Sequence, residues 1–121
     1  MTRTVLVVDD SPSVRQMIAS TLKSAGYAVV TASDGQDALE QAGRMRPDAV
    51  ITDQNMPKLD GLGFIRKFRQ LPTAVGVPVV FLSTESRADL KSEARAAGAT
   101  GWMTKPFDQA TLLNVVKKMA G

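Results

Sequence analysis

Five short apolar runs recur along the chain at intervals of somewhat over twenty residues: Val5 to Val8, Ala28 to Ala32, Ala49 to Thr52, Val77 to Leu82 and Gly101 to Met103. Each is too short for a helix of ordinary length, and each is followed by a stretch in which apolar residues return every three or four positions. Those stretches carry Val14, Met17, Ile18, Leu22 and Ala25, then Ala38, Leu39 and Ala42, then Leu62, Ile65 and Phe68, then Leu90, Ala94 and Ala97, and last Leu112, Val115, Val116 and Met119. The pattern predicts five strand-helix units. Gly26, Gly35, Gly61 and Gly98 punctuate the ends of the periodic stretches, Pro12 and Pro57 fall just after strands, and Pro78 opens the fourth run. Strands alternating with helices imply an α/β fold: a five-stranded parallel sheet, doubly wound, with right-handed crossovers and helices on both faces. The unbroken run from Val77 to Leu82 suits an interior strand, buried on both sides.

With 121 residues, 44% of them apolar, the chain suits one domain spanning 1–121. It contains neither cysteine nor histidine. Disulfides, thiolate sites, His-ligated zinc, His-dependent triads and any phosphohistidine on this chain are therefore excluded, which leaves oxygen ligands and hard cations. The start, Met1-Thr2-Arg3-Thr4-Val5, lacks the pattern of a signal peptide, and nowhere do eighteen apolar residues run together. A cytoplasmic protein without a membrane partner is expected. The net charge is +3, but the fifteen basic residues are scattered and form no cluster suited to nucleic acid.

In doubly wound sheets, ligands bind beyond the carboxyl ends of the strands. The first strand ends in Asp9-Asp10, the third in Asp53, the fourth in Ser83-Thr84, and the fifth runs into Lys105-Pro106. Three crowded carboxylates raise one another's pKa unless a cation neutralises them, and Mg²⁺ suits a sparse set of Asp side chains that leaves room for waters and phosphate oxygens. An Asp can form an acyl phosphate when metal and cationic donors neutralise the transferred group. Asp53, at the end of the middle strand, is the nucleophile candidate. Asp9 and Asp10 hold the ion from the flank, Lys105 supplies an ammonium and Ser83 a hydroxyl for the phosphoryl oxygens. Taken singly, each residue has a plainer use: an Asp or Ser after a strand caps a helix or turns the chain, and a lysine beside a proline is a solvated loop residue. Their coincidence at four strand ends favours a common site.

The order Val7-Val8-Asp9-Asp10-Ser11, then Asp53-Gln54-Asn55-Met56-Pro57-Lys58-Leu59-Asp60-Gly61, then Ser83-Thr84, then Lys105-Pro106-Phe107 resembles the receiver domain of two-component response regulators. The likeness spans the chain and points to a single-domain regulator of the bacterial chemotaxis type. It implies a flavodoxin-like strand order 2-1-3-4-5, phosphorylation of Asp53, and Mg²⁺ held by Asp10, Asp53 and the backbone carbonyl of Asn55, with Asp9 assisting through water. It implies contact of Lys105 with the phosphoryl group and a cis Lys105-Pro106 bond. Ser83 would be the switch hydroxyl, Trp102 the aromatic whose packing follows it, and Asn55 and Glu85 would tune self-dephosphorylation. The chain departs from the commonest pattern with Ser83 in place of Thr, Thr84 in place of Ala, where a bulkier side chain restricts access to the phosphate, and Trp102 in place of Tyr or Phe.

On the fourth helix Arg87, Lys91 and Arg95 recur at a spacing of four, with Lys117 and Lys118 on the last helix. This stripe either greets an acidic partner or is an ordinary solvated face, since Asp89 and Glu93 lie among the bases. The resemblance implies a histidine kinase as phosphodonor and a flagellar motor switch protein or another phospho-dependent target as reader, with the chain itself a monomer. Three other readings share parts of the pattern: a phosphate sink without a motor target, an aspartyl-phosphate phosphohydrolase, and a flavodoxin-like nucleotide carrier. The second usually begins with two Asp separated by one residue, where this chain has Asp9-Asp10. The third needs a phosphate cradle where this chain places acids.

Overall fold

Successive side chains of a strand point to opposite faces, and here both faces are apolar, so each strand must be covered from two sides. The computed structural model, which describes residues 2–85 and 87–120, meets that demand with two helical layers. Among the described residues there are five strands, β1 (Thr4–Val8), β2 (Ala28–Ala32), β3 (Ala49–Asp53), β4 (Val79–Ser83) and β5 (Gly101–Thr104). Between and after them come α1 (Pro12–Ser24), α2 (Gly35–Arg44), α3 (Gly61–Phe68), α4 (Ala88–Ala97) and α5 (Gln109–Ala120). All strands are parallel, in the order β2-β1-β3-β4-β5. The expected fold class and strand order are both found.

Leu6, Val8, Val50, Val79 and Phe81 face one way, into a core built with Ala38, Leu62, Ile65, Phe68, Leu90 and Ala94 from α2, α3 and α4. Val5, Val7, Ile51, Val80, Leu82 and Met103 face the other way, against Ile18 and Leu22 of α1 and Leu112 and Val116 of α5. The interior strands β3 and β4 are buried along their whole length, including Thr52, Asp53 and Ser83 at their carboxyl ends.

The local rules hold at most helix starts. Ser11, Asp34 and Asp60 are N-caps whose side chains accept from the amides of Val14, Asp37 and Gly63, and Pro12 takes the first turn of α1, where its missing N–H costs nothing. Gly35 and Gly61 open helices, whereas Gly26 and Gly98 follow them with positive φ. Two details differ from expectation. The fourth strand begins at Val79, because the Val77 amide instead closes onto the Ala74 carbonyl and Pro78 has no amide to give. A short 3-10 turn, Pro72–Ala74, also precedes it. Within the described residues no helix is long and apolar enough to cross a membrane.

Candidate active site

The parallel register decides which strand ends meet. Val8 pairs with Thr52, so Asp9 falls beside Asp53. Asp53 pairs with Leu82, placing Ser83 one step further along β4, and Ser83 pairs with Thr104, which brings Lys105 alongside. The Lys105 amide donates to the Ser83 carbonyl at 2.8 Å, extending that pairing past the end of β5. The Lys105-Pro106 peptide bond is cis, as the resemblance implied.

Side chains converge accordingly. The Lys105 ammonium reaches Asp9 Oδ2 at 3.0 Å and Asp53 Oδ1 at 3.2 Å. Asp9 is fully buried, with its Oδ1 taking the Ser11 amide at 2.9 Å, so donors occupy both of its oxygens. Asp53 is 6% exposed, and its Oδ1 also takes the Gln54 amide at 2.9 Å. Its Oδ2 has no hydrogen-bond partner among the described residues. Asp10 is exposed. Carboxylate oxygens of Asp9, Asp10 and Asp53 lie within 4.8 Å of one another. The donor set fits Mg²⁺: hard oxygen ligands, with the Asp10 carboxylate open and the Asp9 carboxylate already engaged.

Burial is the main influence on Asp53 and raises its carboxyl above the ordinary value. The charge of Asp9 adds to this, and Lys105 and the Gln54 amide only partly offset it. For Lys105, burial disfavours the ammonium, but the bonds and charges of Asp9 and Asp53 outweigh it and hold the pKa above the ordinary range. A carboxyl raised on folding favours the folded state while protonated. That contribution is fully present below its unfolded pKa and is lost as pH rises through the folded value. In the absence of divalent cations, Asp53→Asn is therefore expected to melt at a higher temperature than wild type at pH 7, the difference closing below about pH 4. Identical metal-free melting curves at pH 7 would contradict the raised carboxyl.

The remaining predicted positions divide. Ser83 is buried, and its hydroxyl accepts the Glu85 amide at 3.0 Å while keeping its own proton to donate. Thr84 is exposed beside the acceptor end, in an apolar groove with Val14, Met17 and Phe107. Asn55 is exposed on the loop after β3. The Glu85 carboxylate is turned to the Arg87 guanidinium at 2.7 Å, with Asp89 at 3.7 Å from the same nitrogen. The basic stripe on α4 thus reduces to Lys91 and Arg95, since Arg87 is already flanked by two acids. Trp102 is half-buried, its ring 5.0 Å from that of Phe81 and 5.5 Å from the Lys91 ammonium, and its indole N–H donates to Thr104 Oγ1 at 3.2 Å.

Two residues near the site have a role there that the sequence alone does not suggest. The Arg15 guanidinium donates to the Asp9 carbonyl at 2.7 Å and steadies the acidic turn from α1. Gln54 joins the acceptor strand to α3. An arginine in the first turn of a helix and a glutamine in a loop are ordinary in themselves, and only the tertiary contacts distinguish them.

Comparison with known proteins agrees with this geometry. The model of the response regulator receiver domain matches residues 5–117. The transcriptional regulatory protein PrrA of Mycobacterium tuberculosis is 40% identical over 115 residues, 95% of this chain and 48% of PrrA, so the chain spans about half the length of that relative. The chemotaxis response regulator CheY4 of Vibrio cholerae superposes with a TM-score of 0.95 at 43% identity, covering 98% of this chain and 99% of the other. The receiver domain of the sensor histidine kinase PA1611 from Pseudomonas aeruginosa, solved with a magnesium ion in its active-site cleft, gives a TM-score of 0.91 at 30% identity over 100% of this chain and 99% of that domain.

Proposed function

This chain belongs to the response regulator receiver domains, proteins that take phosphate from histidine kinases, and from that membership we propose that Asp53 is its phosphoryl acceptor. The observation that carries the assignment is the asymmetric holding of the Asp53 carboxylate. Oδ1 is fixed by Lys105 and by the Gln54 amide, while Oδ2 accepts no hydrogen bond from any described residue. An oxygen held in place but unpaired is a nucleophile already oriented.

In the proposed step Asp53 Oδ2 forms a bond to phosphorus, and the phosphorus–nitrogen bond of the donor's phosphohistidine breaks. The electron pair stays on the imidazole nitrogen, which takes up a proton. Asp10, Asp53 and the Asn55 carbonyl would hold Mg²⁺, which when bound supplies neutralisation of the transferred charge. The Lys105 ammonium, already within hydrogen-bond distance of Asp53, stabilises the incoming oxygens, and the Ser83 hydroxyl donates to one of them. Asn55 and Glu85 govern water at the acyl phosphate, and Glu85 must leave Arg87 to do so. No external substrate is turned over: transfer and loss of the phosphoryl group are both self-catalysed.

The chain acts in this reading as a monomeric, cytoplasmic switch, read through Ser83, Thr84, Trp102 and the face bearing Lys91 and Arg95. Its likeness to CheY4 supports a chemotaxis output through a motor switch protein or similar target. A phosphate sink shares all the chemistry and lacks the target. Incubation with Mg²⁺ and acetyl phosphate, followed by peptide mapping, is expected to place a hydroxylamine-labile phosphoryl group on Asp53. A label on another residue, or equal labelling with the cation removed, would overturn the assignment. Binding of a motor switch protein to the phosphorylated form alone would distinguish the motor output from the sink.

A further inference from the structure

Every polar group of Gln54 is engaged, and its partners belong to β3, β4 and the start of α3. Its amide donates both to Asp53 Oδ1 at 2.9 Å and to the Leu82 carbonyl at 3.0 Å, and its carbonyl accepts the Gly61 amide at 3.0 Å. The side chain turns toward α3. Oε1 accepts the Leu62 amide at 2.9 Å, and Nε2 donates to Asp60 Oδ2 at 3.3 Å. Asp60 uses its other oxygen on the Gly63 amide at 2.8 Å.

The first-turn amides of a helix have no partner within the helix, and a local cap residue satisfies only one or two of them. In α3 the cap Asp60 serves Gly63, while Gly61 and Leu62 are served from the strand end by Gln54. The residue after the proposed nucleophile is thus bonded to the nucleophile on one side and to a helix on the other. A glutamine in a solvated loop would lose side-chain freedom by being held so, and one bond to α3 and one to its cap are what fix it.

We infer that Gln54 is a positioning residue of the acceptor site: by tying the Asp53–Asn55 turn to the start of α3, it holds the Asp53 carboxylate and the Asn55 carbonyl in the arrangement that receives the cation. This rests on the reading of Asp10, Asp53 and Asn55 as the Mg²⁺ site. The tether also ties α3 to the chemistry, so that a shift of the acceptor turn is felt at Leu62.

The test compares wild type, Gln54→Leu and the double variant Gln54→Glu with Asp60→Asn, each titrated with Mg²⁺ by calorimetry. Gln54→Leu keeps the approximate volume and removes both side-chain bonds, and its Mg²⁺ affinity is expected to fall about fivefold to tenfold, the effect of roughly one net hydrogen bond. The double variant preserves net charge and reverses one bond: the introduced amide at 60 donates to the introduced carboxylate at 54, whose other oxygen still accepts the Leu62 amide. Its affinity is expected within about twofold of wild type. Exchange of the Leu62 amide in cation-free protein should rise in Gln54→Leu and return in the double variant. Equal Mg²⁺ affinity of Gln54→Leu and wild type overturns the inference, whatever happens to thermal stability, as does a double variant as weak as Gln54→Leu. Absence of Mg²⁺ binding by wild type overturns the metal-site reading itself and the inference with it, and is distinguishable because it precedes any comparison of variants.

Discussion

Phosphoryl transfer to Asp53 is expected to slow by about 10²–10³-fold in Lys105→Met, the loss that follows when one preorganised donor to developing charge is removed. Methionine retains most of the stem and removes only the ammonium. That ammonium lies 3.0 Å from Asp9 and 3.2 Å from Asp53, and 18% of the side chain is exposed. Without it the fully buried Asp9 keeps only the Ser11 amide, and leaving a buried charged acceptor underserved costs about 1–3 kcal/mol. The variant should therefore be less stable than wild type at pH 7 in cation-free buffer. Its stability should recover in Mg²⁺, which replaces part of the missing positive charge. The sign of the pH dependence follows from the raised Lys105 pKa. A base raised on folding contributes fully below its unfolded value and loses that contribution as pH rises through the folded one, so wild type has all of it at neutrality. At acid pH the carboxylates gain protons, and the gap between wild type and variant should narrow. Rates of acyl phosphate formation from acetyl phosphate provide the measurement. A Lys105→Met rate within threefold of wild type would remove Lys105 from the chemistry, even if stability fell.

How much of this was legible before the fold was known differs from residue to residue, for physical reasons. Periodicity located all five strands and helices because each strand is apolar on two faces and each helix on one, a demand of the double layer that every unit repeats. The convergence of Asp9, Asp10, Asp53, Ser83 and Lys105 was legible because a parallel sheet sends every strand's carboxyl end to the same edge. Side-chain partners were not. The spacing of Arg87, Lys91 and Arg95 describes a helix face, yet the partner that removes Arg87 from it, Glu85, lies before the helix on an irregular segment. The resemblance implied a part for Glu85 in self-dephosphorylation, but its pairing with Arg87 depends on a rotamer that no spacing encodes. The roles of Gln54 and Arg15 could not be read for the same reason: they are defined mainly by contacts to backbone groups, and a backbone amide or carbonyl has no sequence signature.

The same distinction holds for the glycines. Gly43 and Gly61 both lie in helices, and propensity alone treats them alike: replacing either by alanine should stabilise by about 0.5–1 kcal/mol through the reduced freedom of the unfolded chain. Packing separates them. A methyl group on Gly43 meets nothing, so Gly43→Ala should show the full gain. On Gly61 it would press into the Asp53 carbonyl oxygen and come within 2.9 Å of the Gln54 Cα. Both obstacles are backbone, held in place by the Gly61 amide's bond to the Gln54 carbonyl and by the sheet itself, so neither yields cheaply. Overpacking of this kind costs about 1–3 kcal/mol, enough to reverse the propensity gain. Relief must come by moving α3 away from the strand end or by displacing the Asp53–Gln54 backbone, and either motion disturbs the acceptor. Gly61→Ala should thus lower both the melting temperature and the rate of phosphorylation, while Gly43→Ala raises the first and leaves the second unchanged. Two variants with the same chemistry and opposite outcomes test the placement of α3 directly: a Gly61→Ala protein as stable and as readily phosphorylated as Gly43→Ala would mean that α3 does not abut the acceptor strand.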